Sequence, residues 1–120
     1  MAVAAKRPTL TLRTWLLAFL ITQAIEVPIY TIALRHRGLS TASLLGVGAS
    51  ACSHPLVWFV IQPLMLPRAD YIAFVITAEV FAWAAEALYL RMASVPWRSS
   101  LWISLVANSV SVTLGMVLMP

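Results

Sequence analysis

A chain of 120 residues that is 62% hydrophobic and 10% charged, with a mean hydropathy of +0.91, has too little polar surface for a water-soluble domain. Its net charge of +4 sets eight Lys and Arg against four Asp and Glu; the basic residues are scattered over the termini and short turns, which argues against a nucleic-acid surface and fits anchors at a membrane edge. The single cysteine, Cys52, excludes an internal disulfide.

Four apolar runs follow in chain order, at about residues 14–34, 43–66, 71–90 and 101–119. Each holds about 20 residues, enough for a helix to cross a hydrocarbon core of about 30 Å. The first follows Lys6, Arg7 and Arg13 and ends at Arg35. It continues past Ala24 to Leu34, longer than the apolar segment of a cleaved signal peptide. The connections are short, so neighbouring helices run antiparallel. The expected fold is all-α, an integral membrane four-helix up-down bundle, with residues 1–120 as one transmembrane domain. Trp15, Tyr71, Tyr89, Trp97 and Trp102 fall near the expected ends, as an aromatic belt requires.

Orientation is balanced. Lys6, Arg7, Arg13 and Arg68 fall on one side, and Arg35, Arg37, Arg91 and Arg98 on the other. The positive-inside rule favours neither. Two arrangements follow: a fixed topology set by the amino-terminal cluster, or dual insertion with an antiparallel homodimer. A larger membrane complex is the third form in which so short a chain can act.

Every acidic residue but Asp70 lies inside an apolar run: Glu26, Glu79 and Glu86, with His54 as the one buried-type histidine. Charged groups at bilayer depth are costly, face a bundle interior or aqueous cavity, and mark function. Each run carries one polar or small stripe at helical spacing. These are Gln23, Glu26 and Tyr30; Ser50, His54, Trp58 and Gln62; Glu79, Ala82, Trp83, Glu86 and Tyr89; and Ser104, Asn108, Ser111 and Gly115. At about 1.5 Å per residue, Glu26, Glu86 and Asn108 share one layer near 18–22 Å, and His54 and Glu79 another near 12–13 Å. Pro28 and Pro55 adjoin Glu26 and His54. Each removes a helical hydrogen bond, leaving the carbonyls of Ala24 and Ala51 to face protein or trapped water.

Four segments carry a resemblance. They are Glu-Val-Pro-Ile-Tyr at 26–30, His-Pro-Leu-Val-Trp-Phe at 54–59, Glu-Ala-Leu-Tyr at 86–89 and Ala-Asn-x-x-Ser-x-x-x-Gly at 107–115. Together they resemble a pattern in small bacterial four-span membrane proteins. The resemblance implies the architecture and a bacterial cytoplasmic membrane; no activity comes with it. Small multidrug transporters also have four short spans and a first-span Glu, but their sequence around that Glu is absent here.

Three chemistries fit these residues. In the first, Glu26, Glu79 and Glu86, with His54 and Asn108, form a binding site for protons, cations or substrate in coupled transport, because pumps and transporters relay protons through Glu and His. Gln23, Pro28, Tyr30, Pro55, Trp58, Trp83 and Ser111 support it. In the second, Glu26, His54, Glu79 and Glu86 ligate a divalent metal such as Zn, Mn or Fe, open to an intramembrane enzyme. The paired Glu and His three residues apart of bundle di-metal sites is missing. In the third, the polar groups only join helices, as Asn108 and the serines do most simply. Three glutamates exceed that need, since Gln or Ser does the same at less desolvation cost.

Overall fold

The computed structural model describes residues 12–118 and consists of four long helices in that range. They are α1 Leu12–Ala33, α2 Leu39–Met65, α3 Tyr71–Met92 and α4 Trp97–Leu118. Each is long and apolar enough to cross a membrane. Lys6 and Arg7 and the expected end of the fourth span at Met119 lie outside the described residues. Two helices start earlier than hydropathy suggests, α2 at Leu39 and α4 at Trp97. Backbone hydrogen bonding continues past the apolar stretch into the interface, so a helix outruns its hydrophobic core.

Packing follows chain order around a ring. α1 contacts α2, α2 contacts α3, α3 contacts α4, and α4 closes onto α1. α1 and α3 are therefore diagonal, as are α2 and α4. Much of the interior is made of small side chains: Ala42, Ala49, Ala107, Ser100 and Ser104 are fully buried. Most large apolar residues point outward, with Leu44, Ile72 and Val117 about 70% exposed in the absence of lipid, and Tyr30, Leu34, Leu90 and Val95 are the buried exceptions at one end. Lipid tails are as apolar as leucine, so burying Leu gains little there. Close approach through small residues provides the packing energy instead. Gly46 shows this: a Cβ there would sit 2.9 Å from the Cβ of Tyr30 and 3.4 Å from the Cα of Val27. α1 and α2 cross at that point.

The prolines act differently. α1 runs through Pro28 without interruption. α2 continues past Pro55 but widens into a π-helical turn over Val57–Ile61, where the Gln62 N–H bonds the Val57 carbonyl. Pro55 and Pro63 flank this turn. Each lacks an N–H, so the ordinary ladder is broken on both sides and a wider turn is tolerated. The turn adds one residue, which rotates Gln62 relative to the 3.6-residue stripe expected from sequence.

Two connections at one end are locked by polar contacts. α3 ends with Ser94 N–H on the Arg91 carbonyl and Val95 N–H on the Leu90 carbonyl, both at 3.0 Å. This double bond is a Schellman motif, closed by burial of Leu90 and Val95. The left-handed position, φ +69°, is held by Ser94 and not glycine. Replacing Ser94 by glycine should therefore raise unfolding stability by about 1 kcal/mol, read as a higher thermal midpoint in detergent. Arg37, expected only as an edge anchor, reaches over from the α1–α2 turn. Its guanidinium donates to the carbonyls of Ala93 at 2.6 Å and Ser94 at 2.7 Å, capping the negative end of α3. At the other end of α3, the Asp70 carboxylate accepts from the Ala73 N–H at 2.7 Å as an N-cap.

Candidate functional site

Glu26 on α1 and Glu86 on α3 project from diagonal helices and meet near the bundle axis. They are 2% and 1% exposed. The Ser50 hydroxyl donates to Glu26 Oε2 at 2.5 Å. Glu86 receives two hydroxyls: Tyr30 donates to Oε1 at 2.7 Å and Ser53 to Oε2 at 3.0 Å. From α4, Asn108 faces Glu86 and Ser111 faces Glu26, and the two carboxyls face each other. All four helices thus contribute to one polar layer. Glu26, Glu86 and Asn108, expected in one layer, are neighbours in the bundle, and Asn108 is also anchored by its own donation to the Ser104 carbonyl at 2.8 Å. Ser104 in turn donates to the Ser100 carbonyl at 2.7 Å. This run of back-bonds along α4 satisfies its buried polar groups within the helix.

Sequence spacing places the serines of α2 well. Gly46, Ser50 and Ser53 recur at four and three residues, which is one helix face, and that face points at the glutamates. Ser53 adjoins His54 in sequence, and that adjacency puts the two on different helix faces. Ser53, not His54, reaches Glu86.

His54 stands apart from the glutamates. Its Nε2 lies 3.3 Å from the Thr22 hydroxyl. Its ring is flanked by Phe19 at 5.4 Å, Trp58 at 6.0 Å and Trp15 at 6.4 Å between centroids. No hydrogen bond or ion pair between His54 and a glutamate occurs among the described residues. The imidazole belongs to an aromatic cluster on the α1–α2 seam; His54 and Glu79, expected in one layer, form no hydrogen bond or ion pair with each other. Glu79 is half-buried on α3. It acts electrostatically on Glu86 and Glu26 and makes no hydrogen bond among the described residues.

The supporting residues divide. Tyr30 is a direct partner of Glu86, and Ser111 stands beside Glu26. Trp58 stacks on His54 at an interplanar angle of 25°. Gln23 donates to the Val47 carbonyl at 3.3 Å, joining α1 to α2. Trp83 donates to the Leu101 carbonyl at 2.9 Å, joining α3 to α4, and does not line the site. Among the described residues, no group of three or more His, Cys, Asp and Glu side chains is gathered as metal ligands. The four residues expected as a ligand set are divided, with Glu26 and Glu86 together, Glu79 seven residues along α3 from Glu86, and His54 on the seam.

No family model matches the chain, and no curated protein or solved structure matches it.

Proposed function

We propose that this protein moves protons or small cations across a membrane, with Glu26 and Glu86 as the exchanging pair. One observation carries the reading. Two carboxyl groups face each other inside an apolar four-helix bundle, and among the described residues neither forms an ion pair with Lys or Arg. Such a pair needs one positive charge between its members, and a proton or a small cation supplies it. Hydroxyl and amide groups from Tyr30, Ser50, Ser53, Asn108 and Ser111 orient the carboxyls without neutralising them. A packing role alone would be met by uncharged amides at lower desolvation cost.

The test is ion movement in liposomes holding the purified full chain. An imposed pH or cation gradient should dissipate faster with the parent protein than in empty vesicles. Glu86→Gln keeps the hydrogen-bonding shape and removes the exchangeable charge, so flux should fall to the empty-vesicle level. Glu26→Gln should do the same. Parent-level flux in Glu86→Gln with the fold retained would end this reading. Metal content measured after purification without chelator separates the alternative: stoichiometric metal lost on Glu79→Gln and His54→Ala would favour the metal site instead.

A further inference from the structure

The bundle is not packed equally on the two sides of the glutamate layer. Residues seven apart on a helix lie within about 20° of the same direction, so their burial can be compared at two levels on one face. Four pairs that start from the glutamate layer, one per helix, are Glu26 and Phe19, Ser50 and Val57, Glu86 and Glu79, and Asn108 and Gly115. In every pair the first member is buried and the second only half-buried. In every pair the second member lies toward the same end, where α1 and α3 begin and α2 and α4 finish. Direction is nearly constant within a pair, so the difference follows depth; Ala18, Phe74 and Ala78 stay buried in that half at 5–9% exposed, so it is looser and not open throughout.

The opposite end is sealed. Tyr30, Leu34, Leu90 and Val95 are each at most 1% exposed and pack into one cluster. The locked turns of Arg37 and Ser94 lie over it. Polar satisfaction divides the same way. Trp15 Nε1, Gln23 Oε1 and His54 Nδ1 are buried side-chain atoms without a partner, and all three belong to the loosely packed half. Buried polar atoms are normally paired with protein or water, so this half suits a hydrated interior and the sealed half does not. Glu79 completes the pattern. It points along the same face as Glu86, is partly accessible, and has no hydrogen bond to protein among the described residues. A carboxylate at membrane depth in that condition belongs beside water.

We propose that a hydrated cation, hydronium or a monovalent metal ion, reaches the Glu26–Glu86 pair from one end only, the end where α1 and α3 begin, with Glu79 as the first carboxylate it meets. The inference rests on the transport reading for its cargo, but the one-sided opening is measurable without it. The three carboxylates then run from half-buried Glu79 to the fully buried pair Glu86 and Glu26. Negative charge at the mouth raises the local cation concentration. The Tyr30–Leu34–Leu90–Val95 plug is the barrier that must part for release on the far side.

Thiol accessibility in the full chain tests the opening. In a Cys52→Ser background, Ser111→Cys and Ser104→Cys place a similar small side chain on one face of α4, two turns apart. A charged, membrane-impermeant methanethiosulfonate should modify Ser111→Cys about tenfold or more faster than Ser104→Cys, since the reacting thiolate needs water. Glu79→Cys against Leu90→Cys repeats the comparison on α3. Equal rates in both pairs, or labelling of the open-half cysteines only by an apolar maleimide, would overturn the proposal in favour of lipid on that face. Disulfide formation between copies at Ser111→Cys would overturn it in favour of a second chain. For Glu79, Glu79→Gln should raise the cation concentration giving half-maximal flux while leaving maximal flux near the parent value, unlike Glu86→Gln; unchanged concentration dependence would remove Glu79 from the path. Asymmetric labelling with no flux in the parent would defeat the transport reading and keep the opening. Flux with symmetric labelling would do the reverse.

Discussion

Truncating Tyr30 to alanine should be among the most destabilising single changes in this chain, lowering unfolding stability by about 2–3 kcal/mol. The ring is fully buried, and its hydroxyl donates to Glu86 at 2.7 Å. In a water-soluble core an aromatic-to-alanine change costs about 3–5 kcal/mol, part of it the transfer of the ring out of water. Separated membrane helices still hold the ring in hydrocarbon, so mainly the cavity and the hydrogen bond remain. Tyr30→Phe separates those two. It keeps the ring and leaves Glu86 Oε1 without its hydroxyl, for an expected loss of about 1–2 kcal/mol. Denaturant-driven unfolding in mixed micelles, followed by far-UV or tryptophan signals, measures both. An alanine variant as stable as the phenylalanine variant would show that the ring does not hold α1 to its neighbours.

The second large effect is expected at Gly46. Valine at this position must place its Cβ where the Tyr30 Cβ already stands, 2.9 Å away, and 3.4 Å from the Val27 backbone. Neither neighbour is the loose end of a flexible side chain, so α1 and α2 must move apart. Overpacking of this kind costs about 1–3 kcal/mol. Separation at this crossing also draws Ser50, one turn away on α2, from Glu26, so liposome flux should fall along with stability. Gly115→Val is the comparison, because a Cβ there meets nothing within 4 Å. That variant should match the parent in thermal midpoint within the reproducibility of the measurement. Equal losses in the two variants would point to helix propensity and not to the crossing.

These two sites show how far local patterning reaches. Tyr30 was legible as part of a polar stripe, since it follows Glu26 by four residues and lies on its face. That it serves Glu86, 56 residues away, was not legible, because the partner depends on how α1 is rotated against α3. Gly46, having no side chain, suits close approach of two helices on residue type alone. Which atom it approaches is a property of the crossing. Ser53 is the sharpest case. The helical geometry that turned His54 toward Phe19 and Trp58 turned Ser53, its neighbour in sequence, inward to Glu86. Arg37 was visible only as positive charge, and its use as a cap for α3 required knowing that two turns meet at one end.

Hydropathy and helical period are sums over neighbouring residues, so the chain by itself determined four membrane-crossing helices, their antiparallel order and the depth of Glu26, Glu86 and Asn108. Contacts between helices depend on rotation, crossing and tilt, to which no local sum is sensitive. The tertiary structure therefore decided that the two glutamates face each other, that His54 is excluded from them, and that a π turn between two prolines shifts the end of α2. It also decided that the bundle is tight on one side of the glutamate layer and loose on the other. Burial along one helix face depends on how closely three other helices approach at that level, and that is set only when all four are packed.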